Sequence, residues 1–536
     1  MARAGETAHV TWRMDPIASS DRMAASRWML VAMRDVLARY WVVAHIALLA
    51  AFLAWVHGGT RVDHLAAVPW LSLAILEMAL LLPPTRKNET LDMARVRVWH
   101  AITWDPILYI GVVLCLYLLF QCLNGGRKLE FDLASNAWAF SPPPVNWGPF
   151  CVEPEEARHV LYWFPPAFAV VLGIRHGTNR RGKLYLLRAL VVNGALLSLF
   201  GVVQYCSGTA SLFWTTPMSD TFFASFGYAN HAGAFFTLLF AINLGLFVQA
   251  LLAGDERRHA LWLVLTMAFN LAGALLSLSR AAILLSLALL VLGGFYGIRH
   301  AWRQVEGGVR LKALAIFFLV LVFGTAFLFF AAPENAVLRE IQSVQWEKFG
   351  EETFGARWQQ TTSAWNIWRE HPWFGVGGWG YRHYSCLELD EARRALLHRG
   401  GANVHNDAMQ FLVEHGVVGF GLMLGAVAAL LVPVFRRLRL AHETHADGWT
   451  GEPWLLFRVS PITILLLVGT TLTFLQSLID LPFRSPAILV SWVIAMACAP
   501  AFLTSGVRNP PVVAPLEAPA GTRAPPARAP VVEPAE

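Results

Sequence analysis

The stretch NVHNDAMQFLVEHGVVGFGLMLGAVAALLVPVFRRLRL, residues 403–440, decides the fold. From Gly416 to Phe435 it runs for twenty residues without a charge and then meets Arg436, Arg437 and Arg439. Twenty apolar residues, at ~1.5 Å rise each, are what a helix needs to cross the hydrocarbon core of a bilayer. Working outward, runs of this kind recur along most of the chain, which is 536 residues long, 56% hydrophobic and only 15% charged. A soluble protein would carry about 25% charge, so composition excludes a single soluble core. The chain reads as an all-α polytopic membrane protein, because backbone groups in lipid must pair within their own segment.

About twelve spans are expected, near 40–56, 65–83, 106–123, 159–174, 185–206, 231–252, 260–279, 281–298, 313–332, 416–435, 460–480 and 485–503. The net charge of +6 is a topology signal and not a nucleic-acid footprint, because the basic residues cluster between apolar runs. Arg22, Arg27, Arg34 and Arg39 precede span 1, and Arg86, Lys87, Arg95 and Arg97 follow span 2. RHGTNRRGK, GDERRH, the segment with Arg299, Arg303, Arg310 and Lys312, and RRLRL follow spans 4, 6, 8 and 10. Loop 207–230 on the other side has neither Lys nor Arg. The positive-inside rule places both termini in the cytoplasm. The expected layout is a cytoplasmic segment 1–39 opening on a signal anchor, a membrane domain 40–503, and a disordered Pro/Ala-rich tail 504–536. Two large loops face outward, near 124–158 and 333–415. In the second, SAWNIWREHPWF has the pattern of an amphipathic surface helix with Trp365, Ile367, Trp368 and Trp373, followed by the Gly-rich turn GVGGWGY. Of six cysteines none forms a CxxC pair; Cys151 and Cys386 share the outer side, which leaves a disulfide between them open.

The two histidines of the opening stretch suggest a metal site, but spacing rejects it. A zinc helix uses His at i and i+4; His405 and His415 are ten apart, about 80° out of phase on a helix, and Glu414 is about 180° from His405. On a continuous helix His405, Leu412, Gly416 and Gly419 share a face, with the glycines as helix-packing residues. His415 and Glu414 read as ordinary residues at the membrane boundary. Arg280, in LSLSRAAILL, is an arginine between apolar runs and needs a reason. Arg280, Arg357 and His405 all fall on the outer side. Each alone also fits a bland role: a snorkelling arginine, a loop arginine, a helix-start histidine.

The chain resembles the O-antigen ligase and polymerase superfamily from roughly span 5 to span 12. The resemblance rests on His405-Asn406, nine residues, then Gly416 and Gly419 at the end of a large outer loop; on SFGYANHAGAFF, SLSRAA, GARWQQTTSAWNIWREHPWFGVGGWGY and LIDLPFRSP. His231 departs from it, standing where the family often has Pro or Asn after Asn230. The resemblance implies a GT-C-like membrane glycosyltransferase in the bacterial inner membrane, acting on the periplasmic face without a cofactor. Its implied partners are an undecaprenyl-diphosphate-linked glycan donor, a lipid A–core or other glycan acceptor, and the bilayer. Carried over, His405 is the catalytic residue, Arg280 and Arg357 bind the diphosphate, and Asn406, Asn230 and Arg484 support them. No Asp-x-Asp motif is present, and two guanidinium groups can neutralise a diphosphate in place of a metal. Histidine, with an ordinary pKa of about 6.5, suits a general base for a sugar hydroxyl, and donation to the diphosphate is the other role open to it. A ligase, a repeat-unit polymerase and a protein O-oligosaccharyltransferase differ only in acceptor. A secondary transporter or flippase also fits twelve spans, although the notable groups gather at outer helix ends and no internal repeat is evident.

Overall fold

Every expected span that falls on described residues is a helix. The computed structural model describes residues 40–60, 65–86, 88–133, 136–218, 222–253, 257–304, 355–388, 403–443 and 459–503. Along the chain the helices are α1 (Tyr40–Trp55), α2 (Val68–Leu81), α3 (Leu91–Thr103), α4 (Pro106–Leu123), α5 (Pro154–Gly177), α6 (Arg180–Cys206), α7 (Ala229–Ala253), α8 (Arg257–Leu276), α9 (Arg280–Gln304), α10 (Gly355–Glu370), α11 (Gly380–Glu388), α12 (Asp407–Glu443), α13 (Pro461–Gln476) and α14 (Pro486–Cys498). Among the described residues five helices, α4 to α7 and α12, are long and apolar enough to cross a membrane, and α1, α2, α8, α9, α13 and α14 carry shorter apolar segments. The ninth expected span, 313–332, lies outside the described residues, as do segments 1–39 and 504–536 and much of loop 333–415.

The bundle is organised around α7, whose residues are buried along almost its whole apolar length. Its Phe235, Phe236 and Phe240 are fully enclosed, and α6, α8, α9, α13 and α14 pack around it. α4 and α12 lie at the periphery. Leu116, Leu119 and Leu123 of α4 and Leu424, Val432 and Phe435 of α12 are exposed, as lipid-facing side chains must be. α3 occupies the basic loop after α2, where no helix was expected. Thr90 caps it by accepting from Met93 N, and its charges are paired, Arg97 with Glu89 at 2.7 Å and Arg95 with Asp92 at 3.0 Å. Capping and ion pairs steady its start, and Ala94, Val98 and Ile102, four residues apart, form the buried stripe that packs it on the bundle.

The loops that leave the odd-numbered spans converge at one end. Ser485 Oγ donates to Gly58 O at 2.7 Å, His231 reaches Leu481 O at 2.9 Å, and Arg357 Nη1 donates to Ile479 O at 2.6 Å. Two short antiparallel hairpins lie in these loops: β1 (Leu129–Asp132) with β2 (Ala137–Phe140), and β3 (Ser211–Leu212) with β4 (Thr216–Pro217). Cys151 is buried beside Cys122, while Cys386 is exposed on α11 and donates to Arg382 O, so no disulfide joins Cys151 to Cys386. α10 takes in only the first part of the amphipathic stretch: it begins earlier, at Gly355, and ends at Glu370, which leaves Trp373 beyond it. It buries Ala364 and Ile367 against Val404, Val413 and Tyr381 and leaves Trp365 exposed.

The opening stretch is not one continuous helix, which corrects the wheel that placed His405, Leu412, Gly416 and Gly419 on a common face. His405 precedes the first turn, and α12 breaks at Gly416, with φ 62° and ψ −172°. The break admits a second backbone. Val376 N donates to Val413 O at 3.0 Å, Gly377 N to Glu414 O at 2.8 Å, Val417 N to Pro372 O at 2.9 Å, and Val418 N to Trp373 O at 3.2 Å. Tyr117 and Gln121 of α4 donate to the carbonyls of His415 and Glu414 and to that of Phe374. Thus the groups freed by the break are paired again, as a low-dielectric site demands. Gly416 therefore serves a backbone crossing and not helix-on-helix packing, whereas Gly419 packs where a Cβ would lie 3.2 Å from Tyr117. A Cβ on Gly416 would meet Trp373 O at 2.3 Å, and one on Gly375, at φ 68°, would meet the Glu414 carbonyl carbon at 2.5 Å. Gly416→Ala and Gly375→Ala are each expected to cost at least about 1–2 kcal/mol, through the left-handed backbone alone. Thermal melting in detergent reads this as a lowered Tm; unchanged melting would contradict the crossing.

Candidate functional site

The head of α12 and the loop between α13 and α14 are sewn together. Asp407 N donates to Ser477 O at 2.8 Å and, less closely, to Asp480 O at 3.3 Å. Asp407 Oδ2 accepts from Phe483 N at 2.9 Å. Asn406 accepts from Met409 N at 3.0 Å, the bond an N-cap asparagine makes. Its place is therefore at the start of the helix that follows His405.

His405 is held with φ 52°, a backbone region uncommon for a side chain of its size. Its Nδ1 faces Asp480 Oδ1 at 3.5 Å, an ion-pair distance that is long for a hydrogen bond. The carboxylate is the buried partner, with 4% of its side chain exposed against 28% for the imidazole. Asp480 also accepts from Leu481 N at 2.9 Å and from Tyr228 Oη at 3.2 Å, and Tyr228 Oη in turn accepts from Asn230 Nδ2 at 2.8 Å. The result is a chain Asn230–Tyr228–Asp480–His405 running from the first turn of α7 to the edge of the site. His231 stacks edge-on against Tyr228, with centroids 4.9 Å apart, and holds Leu481 O. Burial pushes the Asp480 carboxyl up, but the adjoining His405 imidazole, together with the charges of Arg357 and His231, outweighs burial and holds it below the usual carboxylate range. Burial, reinforced by that carboxylate, pushes the Tyr228 phenol up, so it remains a donor.

Of the residues singled out in the sequence, His405 and Arg357 meet the Asp480 loop directly. Arg280 opens α9, and its turn packs on the first turns of α7: a Cβ on Gly233 would lie 2.7 Å from Ser279 Cβ and 2.5 Å from Ala282 Cβ. Arg280 thus stands on the hairpin that abuts the helix end bearing Asn230 and His231. Arg484 lies inward of them. Its Nη2 donates to Glu414 Oε2 at 2.6 Å, and its guanidinium lies 4.1 Å from the ring centre of Trp379. Gln410 Nε2 holds the other Glu414 oxygen at 2.6 Å. His415 is fully buried, its Nδ1 2.9 Å from Gln121 Oε1. Glu414 and His415 are therefore not ordinary boundary residues, as their sequence position suggested. One is half of a buried ion pair, and the other helps to close the helix break.

Sequence reasoning missed Asp480, Tyr228 and Glu414. The signal for Asp480 was available: an acidic residue between two apolar segments, in SLIDLPFRSP, carries the same cost that drew attention to Arg280. Tyr228 and Glu414 show their importance only through partners some 250 and 70 residues away.

What these observations define is a helical membrane protein with a histidine, a buried carboxylate and arginines gathered at one end of its bundle. Residues 265–424, somewhat under a third of the chain, match the family model described as O-antigen ligase, and this match supports the O-antigen ligase superfamily. The matched segment carries Arg280, Arg357, His405, Asn406, Gly416 and Gly419; Asn230, Asp480 and Arg484 lie beyond it. The comparison with curated proteins gives no match.

Two outcomes follow from the charges. Removing one partner of a buried ion pair costs about 3–5 kcal/mol. Arg484→Met should lower the Tm strongly, and adding Glu414→Leu should restore part of the loss; no recovery in the double variant would deny their pairing. Because Asp480 is held below its ordinary pKa of about 4, its contribution to stability is complete above that value and is lost as pH falls through the lower folded value. Melting curves from pH 7 to pH 3 should fall less steeply for Asp480→Asn than for the wild type, and parallel curves would show that Asp480 is not so coupled.

Proposed function

We propose that the protein is a membrane glycosyltransferase that moves a glycan from an undecaprenyl-diphosphate carrier to an acceptor hydroxyl at the periplasmic face of the inner membrane. Its role is that of an O-antigen ligase, with lipid A–core as acceptor. The observation that carries this reading is the partly exposed His405 imidazole set against the buried Asp480 carboxylate, with Arg357 bound to the same loop. The family match points to ligase chemistry of this kind.

The reaction runs as a single displacement. With Nδ1–H turned to Asp480, the tautomer leaves Nε2 as the acceptor of a proton. His405 Nε2 takes the proton of the acceptor hydroxyl as its oxygen attacks the anomeric carbon. The bond from that carbon to the phosphate oxygen breaks, and the diphosphate leaves on its lipid with inversion at the sugar. Arg280 and Arg357 neutralise the charge growing on the leaving group. Guanidinium suits this role because it is always charged and pairs with two phosphate oxygens at once, and its effect is larger where water is scarce. Arg484, occupied by Glu414, serves the loop that presents Asp480.

General-base catalysis is worth about 100-fold or more. His405→Ala, inserted normally in the membrane, is expected to lose transfer by at least that factor, and Arg357→Lys, which keeps charge but not the fork, should lose part. Full transfer by His405→Ala would remove the base from this scheme. A strain lacking the protein should hold polymer on its lipid carrier beside bare lipid A–core. Single capped repeats would indicate a polymerase instead, and unchanged glycan with loss of a solute's uptake would indicate a transporter.

A further inference from the structure

We infer that the β1–β2 hairpin is a membrane-seating element whose aromatic face lies in the headgroup layer of the leaflet on the site's side. Apart from Phe140 at its base, which packs on Tyr384, the hairpin stands clear of the helices. Its register pairs Leu129 with Phe140 and Phe131 with Trp138, so these four share one face, while Glu130 and Asp132 lie on the other. Side chains alternate strictly between the two faces of a strand, so the division is set by the pleat. The apolar face is largely uncovered: Phe131 is 43% exposed and Trp138 56%, and Leu133 at the turn is 88% exposed. An isolated two-stranded hairpin is marginal in water, and one with an open apolar face needs a surface to cover it.

Continuity with the lipid-facing wall of α4 identifies that surface. Trp147, 80% exposed in the same loop, packs against Phe120 with ring centroids 6.4 Å apart. Phe120 belongs to the last turn of α4, beside the exposed Leu116, Leu119 and Leu123. Trp373 is exposed near the same helix end, next to Phe374, whose carbonyl accepts from Tyr117 and Gln121 of α4. Aromatic side chains gathered at the end of a lipid-exposed helix form the belt that membrane proteins place at the interface. On this proposal the hairpin's aromatic face continues that belt, with Glu130 and Asp132 on the opposite face. Its base is fixed by Arg127, which donates to Ser141 O and Phe140 O, bonds the Tyr384 hydroxyl on α11 and lies 4.7 Å from the ring centre of Phe150. The hairpin therefore ties α11, and through it the region that crosses α12, to the depth of the bilayer surface.

The test compares neighbouring positions on one strand. Nitroxide labels go on Phe131→Cys and, separately, Glu130→Cys, in a full-length background with the exposed Cys206 and Cys386 replaced by serine, in phosphatidylethanolamine–phosphatidylglycerol nanodiscs. Electron paramagnetic resonance then reads collision with oxygen, which concentrates in lipid, against a water-soluble nickel chelate. The expected result is an oxygen-to-nickel ratio several-fold higher at position 131 than at position 130. High nickel access at both positions would place the hairpin in water and overturn the proposal. Low access to both reagents at position 131 would mean that protein, a second copy or another partner, covers the face, and would overturn it equally.

Discussion

The crossing of two backbones at Gly375 and Gly416 is the constraint on which the rest of this end of the molecule depends. A membrane helix cannot be broken without pairing what the break exposes, and here the segment 372–377 and two side chains of α4 do the pairing. The break separates a short head, from Asp407 to His415, from the long apolar run that follows. It lets that head turn toward the α13–α14 loop. Without it the span would continue straight, and His405 would have no fixed relation to Asp480.

Electrostatics then orders the loop. Glu414 lies in the head of α12 and Arg484 at the far end of the α13–α14 loop, and their buried pairing fixes one against the other. Such a pair adds little net stability over apolar residues but is costly to disrupt, so its contribution is to position. Four residues before Arg484 stands Asp480, buried and held as a carboxylate by groups from α7, α10 and the segment before α12. Each of these elements brings polar groups to the loop, and among them the imidazole of His405 keeps an exposed edge.

Much of the scaffold was legible in the sequence because long apolar runs and basic loops report physics that acts locally. Hydrophobic length sets the spans, and the spacing of arginines sets their alternation. His405 and Arg357 were singled out for a different reason, a resemblance in local motifs, and the structure sets both against the Asp480 loop. What escaped was whatever depends on two distant segments. The helical wheel across residues 405–419 failed because helix phase carries no notice of a break that tertiary hydrogen bonds make favourable. Glycine spacing looked like packing, since Gly-x-x-Gly is the same string whether it admits a helix or a backbone. Glu414 looks like a boundary residue until Arg484 stands beside it, and the acid at Asp480 gains its meaning only from His405.

The central claim is that Asp480 acts through His405. It is tested most directly by a double-mutant cycle on single-turnover transfer at saturating lipid-linked donor, comparing His405→Ala, Asp480→Asn and the two together. If the carboxylate works only by holding the imidazole, the double variant will be no slower than His405→Ala alone. Losses that multiply would show that Asp480 serves the reaction by a separate route and would contradict the account.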